Sequence, residues 1–189
     1  MAQNRAGGDL PPDVVERAIA GDEDSFFALV RHYDGGLRSL AYRVLGDRDR
    51  MDDALQEAYV KAFRSLPTFR GGAKLGTWLY RIAYNACLDE LERGRRVVPL
   101  PLAAVEAEAD LRSGTDDRVE RRVVVAEALR ALSVADRAAV LLVDAHGFTY
   151  EEAAQILDVP SGTVGSRLNR ARAALRLALG TPTQGAVER

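Results

Sequence analysis

Apolar residues recur every three to four positions along most of this chain, which is the period of an amphipathic helix. One such stripe runs through Phe26, Val30, Tyr33, Leu37, Leu40 and Val44. Gly21-Asp22 precedes it and Gly46-Asp47 ends it, so the pattern predicts one long helix between them. A second helix is predicted from Asp52 to Leu66, with Ala54, Leu55, Ala58, Ala62 and Phe63 inward. Pro67 to Ala73 reads as a loop, and Leu75 to about Arg93 as another helix with Leu75, Leu79, Ile82 and Ala86 on one side. Helices at Val119–Leu132 and Val134–Ala145 follow, the latter with Ser133 and Asp136 at capping-box spacing.

The run from Gly147 to Arg176 predicts two short helices about a tight turn. Thr149 and Glu152 have capping-box spacing, and Ala153, Ile156 and Leu157 form an inward face. Asp158-Val159-Pro160 ends that helix, because proline lacks an amide hydrogen and restricts the residue before it. Asp158 falls where a left-handed C-cap is expected, and Ser161 can cap the next helix. Val164, Leu168, Ala171 and Leu175 turn inward, leaving Thr163, Ser166, Arg167, Asn169, Arg170 and Arg172 outward. That is the layout of a helix-turn-helix, whose second helix presents side chains to base edges and phosphates.

The pattern lapses in three places. Residues 1–12 read as a disordered N-terminus. The stretch 97–117 has two prolines, five acids and one arginine with no sustained period, so it reads as a flexible acidic linker. Residues 180–189 read as a flexible tail. The fold class expected is all-α: two small helical bundles, 13–96 and 118–179, joined by that linker.

Composition narrows the function classes. At 189 residues the chain allows one domain or two small ones. No apolar run reaches membrane-spanning length, and the first residues lack the apolar core of a secretory signal, which predicts a cytoplasmic protein without membrane insertion. One cysteine, Cys87, and two distant histidines, His32 and His146, argue against a disulfide, a metal site or a histidine-based catalytic site; no cofactor is expected. The net charge of −2 is unusual for a protein that holds DNA alone, so DNA binding is expected to depend on a partner. Yet from Pro160 to Leu179 there are four arginines and no acid, a single-sign stripe suited to phosphates.

Two further constellations stand out. Asp52, Asp53, Gln56 and Glu57 cluster on one helical turn. They suit a solvated acidic face or a docking patch for a basic surface better than catalysis, since no histidine or phosphate loop accompanies them. In PTFRGGAKLGTWLYRIAYNACLDELERGRR, aromatic residues alternate with Arg70, Lys74, Arg81 and the terminal Arg93, Arg95 and Arg96. Aromatic faces stack on unpaired bases while cations follow the backbone, and Gly71-Gly72 permits close approach. Phe69, Tyr84 and Asn85 complete the candidate set, while Trp78 reads as a core aromatic.

The stretches AIAGDEDSFFALVRHY, DDALQEAYVKAFRSLPTFRG, TWLYRIAYNACLDELERGRR and GFTYEEAAQILDVPSGTVGSRLNRARAAL together closely resemble the extracytoplasmic-function group of bacterial sigma factors, from Asp13 to Leu179. The resemblance implies a non-enzymatic transcription initiation factor that binds the core RNA polymerase through its clamp helices and flap and directs it to promoter DNA. It implies a region-2-like domain at 13–96 and a region-4-like helix-turn-helix domain at 118–179. Asp52, Asp53, Gln56 and Glu57 fall on the segment that docks on the clamp helices. Phe69, Arg70, Gly71, Gly72 and Lys74 fall on the loop that captures a flipped base of the −10 element, and Arg81, Tyr84 and Asn85 on the helix reading its upstream part. Thr163, Ser166, Arg167, Asn169 and Arg170 fall on the −35-reading face. Gly165 stands where the family usually has Lys or Arg, and Asp158 replaces a turn glycine. The resemblance further implies control by an anti-sigma factor. Without it, the residues also fit a stand-alone helix-turn-helix regulator, or a helical enzyme using Asp53 and Glu57.

Overall fold

The structure is a computed structural model and describes residues 10–96 and 116–180, with side chains at 10–94 and 123–180. The expected linker therefore lies largely outside the described residues, as do the side chains of Arg95 and Arg96, residues 1–9 and the tail from 181. Eight α-helices are described: α1 (Pro12–Ile19), α2 (Glu23–Leu45), α3 (Arg48–Ser65), α4 (Leu75–Arg96), α5 (Asp116–Arg130), α6 (Val134–Val140), α7 (Tyr150–Leu157) and α8 (Ser161–Ala178). A single 3₁₀ turn follows α3 at Leu66–Thr68, and a five-residue π segment, Leu141–Ala145, follows α6.

Local chemistry sets most helix ends. The Asp22 carboxylate accepts from the Ser25 amide at the start of α2, and Gly46 closes α2 in a left-handed conformation. Asp47 does for α3 what Asp22 does for α2, accepting from the Arg50 amide. That cap starts α3 at Arg48, four residues before the expected Asp52. The Thr149–Glu152 capping box forms in full, and Asp158 ends α7 at φ 51°, both as expected. Ser161 does not cap α8. Pro160 occupies the cap position, and its carbonyl accepts from the Thr163 and Val164 amides, so Ser161 lies inside the first turn. Leu10 is also ordered and packs against the core, ahead of the expected start at Asp13.

In the first half, α2, α3 and α4 pack around Leu29, Leu37, Leu40, Leu55 and Leu79, each essentially inaccessible. Burying a leucine side chain stabilises by about 1.5–3 kcal/mol, so this set supplies much of the cohesion. Arg50 ties α3 to α4 through the Glu90 carboxylate (3.0 Å) and the Glu90 carbonyl (2.8 Å). The Tyr59 hydroxyl donates to Asp34 (2.7 Å), joining α3 to α2. Phe63 was expected inward but is 40% exposed. It meets Phe26 edge-on at the rim of the α2–α3 pair, with ring centroids 5.0 Å apart.

In the second half, Leu142, Ile156, Val164 and Leu168 are buried among α6, α7 and α8. The expected helix to Ala145 changes character at Leu141, where the wider π turn closes with the His146 amide on the Leu141 carbonyl. Both halves share one continuous core, with α7 packed on α4 and α6 on α2. The two bundles are thus joined by packing as well as by chain.

Candidate nucleic-acid interface

On α3, Asp52, Asp53 and Gln56 are exposed, whereas Glu57 is half-buried and engaged. Asp52 pairs with Arg38 of α2 at 2.5 Å. Glu57 receives Arg93 of α4 at 2.6 Å and Lys61 at 3.4 Å, and the Arg93 hydrogen bond leads in holding its carboxyl below the usual range. Asp52, Asp53 and Gln56 are therefore the exposed groups of the patch, Asp52 with Arg38 beside it, while Glu57 also ties α3 to α4.

The loop between the 3₁₀ turn and α4 is held at both ends. Its Phe69 ring rests on Trp78 of α4, centroids 5.3 Å apart, and is half-buried there. Gly71 takes φ 71°, a left-handed conformation that a side chain would strain. Arg70, Gly71 and Gly72 are exposed at the tip. Lys74 reaches Glu152 of α7 at 2.9 Å, and Arg81 reaches Asp158 at 3.3 Å. Burial works against the Glu152 carboxylate, but the Thr149 amide and the Lys74 ammonium outweigh it and hold its pKa below the usual value. Asn85 is exposed, one turn after Arg81.

Tyr84 does not join this surface. It is 4% exposed, a core residue of α4, and burial pushes its phenol pKa up, with Arg167 of α8 near enough to oppose that push. The sequence places Tyr84 on the helix correctly but not its neighbours.

On α8, Ser166, Asn169 and Arg170 are exposed, while Thr163, Arg167 and Arg172 are half-buried. Val164, Leu168 and Ala171 face the core as expected. The arginine stripe is not bare. Arg170 makes a two-point contact with Asp136 of α6, at 2.8 and 3.5 Å, and Arg172 does so with Asp144 of the π segment, at 2.6 and 3.0 Å. A Cβ added at Gly165 would lie 3.8 Å from the Tyr150 ring, so the missing side chain leaves only that ring nearby.

Sequence reasoning missed Arg137, His146, Phe148, Asp136 and Asp144 as structural partners of these surfaces. Arg137 carried a signal: it stands one turn after Val134 and one before Leu141, in line with an apolar stripe. Cys87 is buried and its thiol is pushed up to about 12, the behaviour of a packed core residue. No group of histidine, cysteine and acidic side chains able to hold a metal occurs among the described residues.

The geometry is that of a helical protein with a looped, aromatic and basic surface in one half and a helix-turn-helix in the other. Comparison with known proteins gives this class a family. The model for Sigma-70 region 2 matches residues 29–97, and that for Sigma-70, region 4 matches residues 122–175. The chain is 40% identical over 168 residues to the ECF RNA polymerase sigma factor SigM of Mycobacterium tuberculosis, spanning 89% of this chain and 84% of that protein. It is 38% identical over 173 residues to the ECF RNA polymerase sigma-E factor of Escherichia coli, spanning 86% and 90%. Among solved structures, CnrH in complex with the cytosolic domain of CnrY matches with TM-score 0.67 and 25% identity, over 89% of this chain and 96% of that one. The sigma factor RpoE of Bartonella quintana, in complex with the anti-sigma factor NepR, matches with TM-score 0.64 and 30% identity, over 81% and 91%. The chain is a sigma factor and belongs to the extracytoplasmic-function group of the sigma-70 family.

Proposed function

We propose that this chain directs core RNA polymerase to a specific set of promoters in the cytoplasm and is itself no catalyst. The outer face of α3, Asp52, Asp53, Gln56 and the half-exposed Glu57, docks on basic groups of the polymerase clamp. The Phe69–Lys74 loop, with Arg81 and Asn85, handles the unpaired −10 strand. Ser166, Arg167, Asn169 and Arg170 read the −35 element in the major groove, with Thr163 at the start of the same helix. The domain boundaries 13–96 and 118–179 belong to this reading.

The observation that carries it is the order of the two family regions on one chain, each with exposed polar residues on its surface. The similar sigma factor solved in complex with an anti-sigma factor supports a further expectation, that an anti-sigma protein binds this chain. The test is transcription of a fragmented-genome library by core polymerase with and without the chain. New start sites sharing −10 and −35 sequences are expected only in its presence. Tight, sequence-specific duplex binding by the isolated chain, with no effect on polymerase, would instead make it a stand-alone regulator.

A further inference from the structure

Glycine inside a helix is less favourable than alanine, so an interior glycine needs a reason. Gly165 lies inside α8, and the fold supplies none. Its φ is not in the left-handed region. A Cβ there would meet a single atom within 4 Å, the Cε2 of the Tyr150 ring at 3.8 Å, which is ordinary van der Waals contact. Neither strain nor crowding calls for glycine. What its missing side chain leaves is an open notch on α8, floored by helix backbone and walled on one side by an aromatic ring.

The wall is held in place. Tyr150 opens α7 directly after the Thr149 cap, and it is 40% exposed. Arg172 stands two helical turns beyond Gly165 and so on the same side of α8. Its guanidinium makes the two-point contact with Asp144 and also hydrogen-bonds the Tyr150 hydroxyl. The ring is thus tied down at its hydroxyl while its edge borders Gly165. Ser166 and Asn169, the exposed neighbours of Gly165 on α8, put the notch at the rim of the outward face.

A shallow apolar notch suits a methyl group. In the major groove thymine alone presents one, its 5-methyl, and side chains read it by apolar contact, whereas an arginine selects guanine. We propose that Tyr150 and Gly165 form a thymine-methyl reader on the −35 surface, with Arg172 as the positioning residue that holds the ring. This role rests on the reading of α8 as the −35 helix.

The test uses holoenzyme assembled with the full chain and promoters recovered from the genome library. Each −35 thymine is replaced, one at a time, by deoxyuridine, which lacks only the 5-methyl, and output is read by single-round transcription. At one position the replacement is expected to lower the parent's output about fourfold, the worth of one buried methyl group. Tyr150→Ala removes the wall and Gly165→Ala fills the notch, so each is expected to abolish that sensitivity. Gly165→Ala enters without crowding and favours the helix, so its effect is not a folding defect. Gly165→Arg is expected to move the preferred base at that position from thymine to guanine in a randomised −35 library. Arg172→Gln is expected to lower the thymine-to-deoxyuridine ratio itself. A merely structural arginine would lower output from both templates and leave the ratio unchanged, which would overturn the positioning role.

A selected −35 sequence without thymine, or equal output on thymine and deoxyuridine templates at every −35 position, overturns the methyl reader. So does retention of the parent's ratio by Tyr150→Ala or Gly165→Ala. Reduced output from every sequence alike would make Tyr150 a phosphate contact instead. If scrambling the whole −35 element leaves the parent's output unchanged, the reading of α8 fails and the methyl reader fails with it.

Discussion

The two faces proposed to meet nucleic acid are neutralised in opposite ways. Lys74 and Arg81 of the first half are paired with acids that belong to the second. Arg170 and Arg172 of the second half are paired within it, to Asp136 and Asp144. Moving the halves apart therefore frees the first set of cations and leaves the second as it was. On the proposed reading, a cation of the −35 face is released only when DNA displaces an acid of its own half.

The largest effect is expected where the halves meet through apolar surface. Phe148 is 5% exposed and meets Tyr80 edge-on at the seam between the two halves. Phe148→Ala should cost about 3–5 kcal/mol in a denaturant melt, the range for deleting a buried aromatic. Leu168→Ala, in the core of the second half alone, should cost about 2–5 kcal/mol while leaving the halves in contact. If energy transfer between fluorophores on the two halves falls equally in both variants, the seam is not a separate unit.

The seam should also respond to pH. Burial, with repulsion from Arg43, pushes the His146 pKa down from 6.5 to about 4. As pH falls, the unfolded chain takes up this proton before the folded one does. The stability contributed by neutral His146 is complete above pH 6.5 and drains away as pH falls towards about 4, a loss approaching about 3 kcal/mol. His146→Gln should flatten the fall in melting temperature between pH 6.5 and 5. An unchanged slope would assign the pH response to other groups.

On the −35 side the effects are smaller. Arg170→Ala should spare assembly with core polymerase and reduce output from −35-dependent promoters. A bidentate guanine contact is worth about 1–3 kcal/mol of discrimination, so a −35 mutation series should flatten by that amount. Smallest of all, Asp136→Asn should release Arg170 without moving either half. The pair is exposed on the arginine side, so the gain in duplex affinity should stay below about 1 kcal/mol and diminish with salt. If Asp136→Asn opens the seam, the contrast between the two faces fails.

Much of this molecule was legible in one dimension. The helices, the Thr149–Glu152 capping box, the left-handed Asp158 and the inward set Val164, Leu168 and Ala171 all rest on residues three or four positions apart. Such neighbours meet in any helix, whatever surrounds it, so sequence spacing is enough. The family followed from those same local patterns in order. The partners of the charged and buried polar groups were not legible. Arg137 meets the Val44 carbonyl 93 positions away, and Tyr80 meets His146 66 positions away. Apolar periodicity says that a face is buried but not against what, because hydrophobic attraction has no direction. Ion pairs and helix-end caps depend on distance and angle, which only packing sets. For that reason the tertiary structure alone decided that Tyr84 is covered, that Phe63 lies at a rim, that Glu57 is a tie between helices, and that the two halves close on each other.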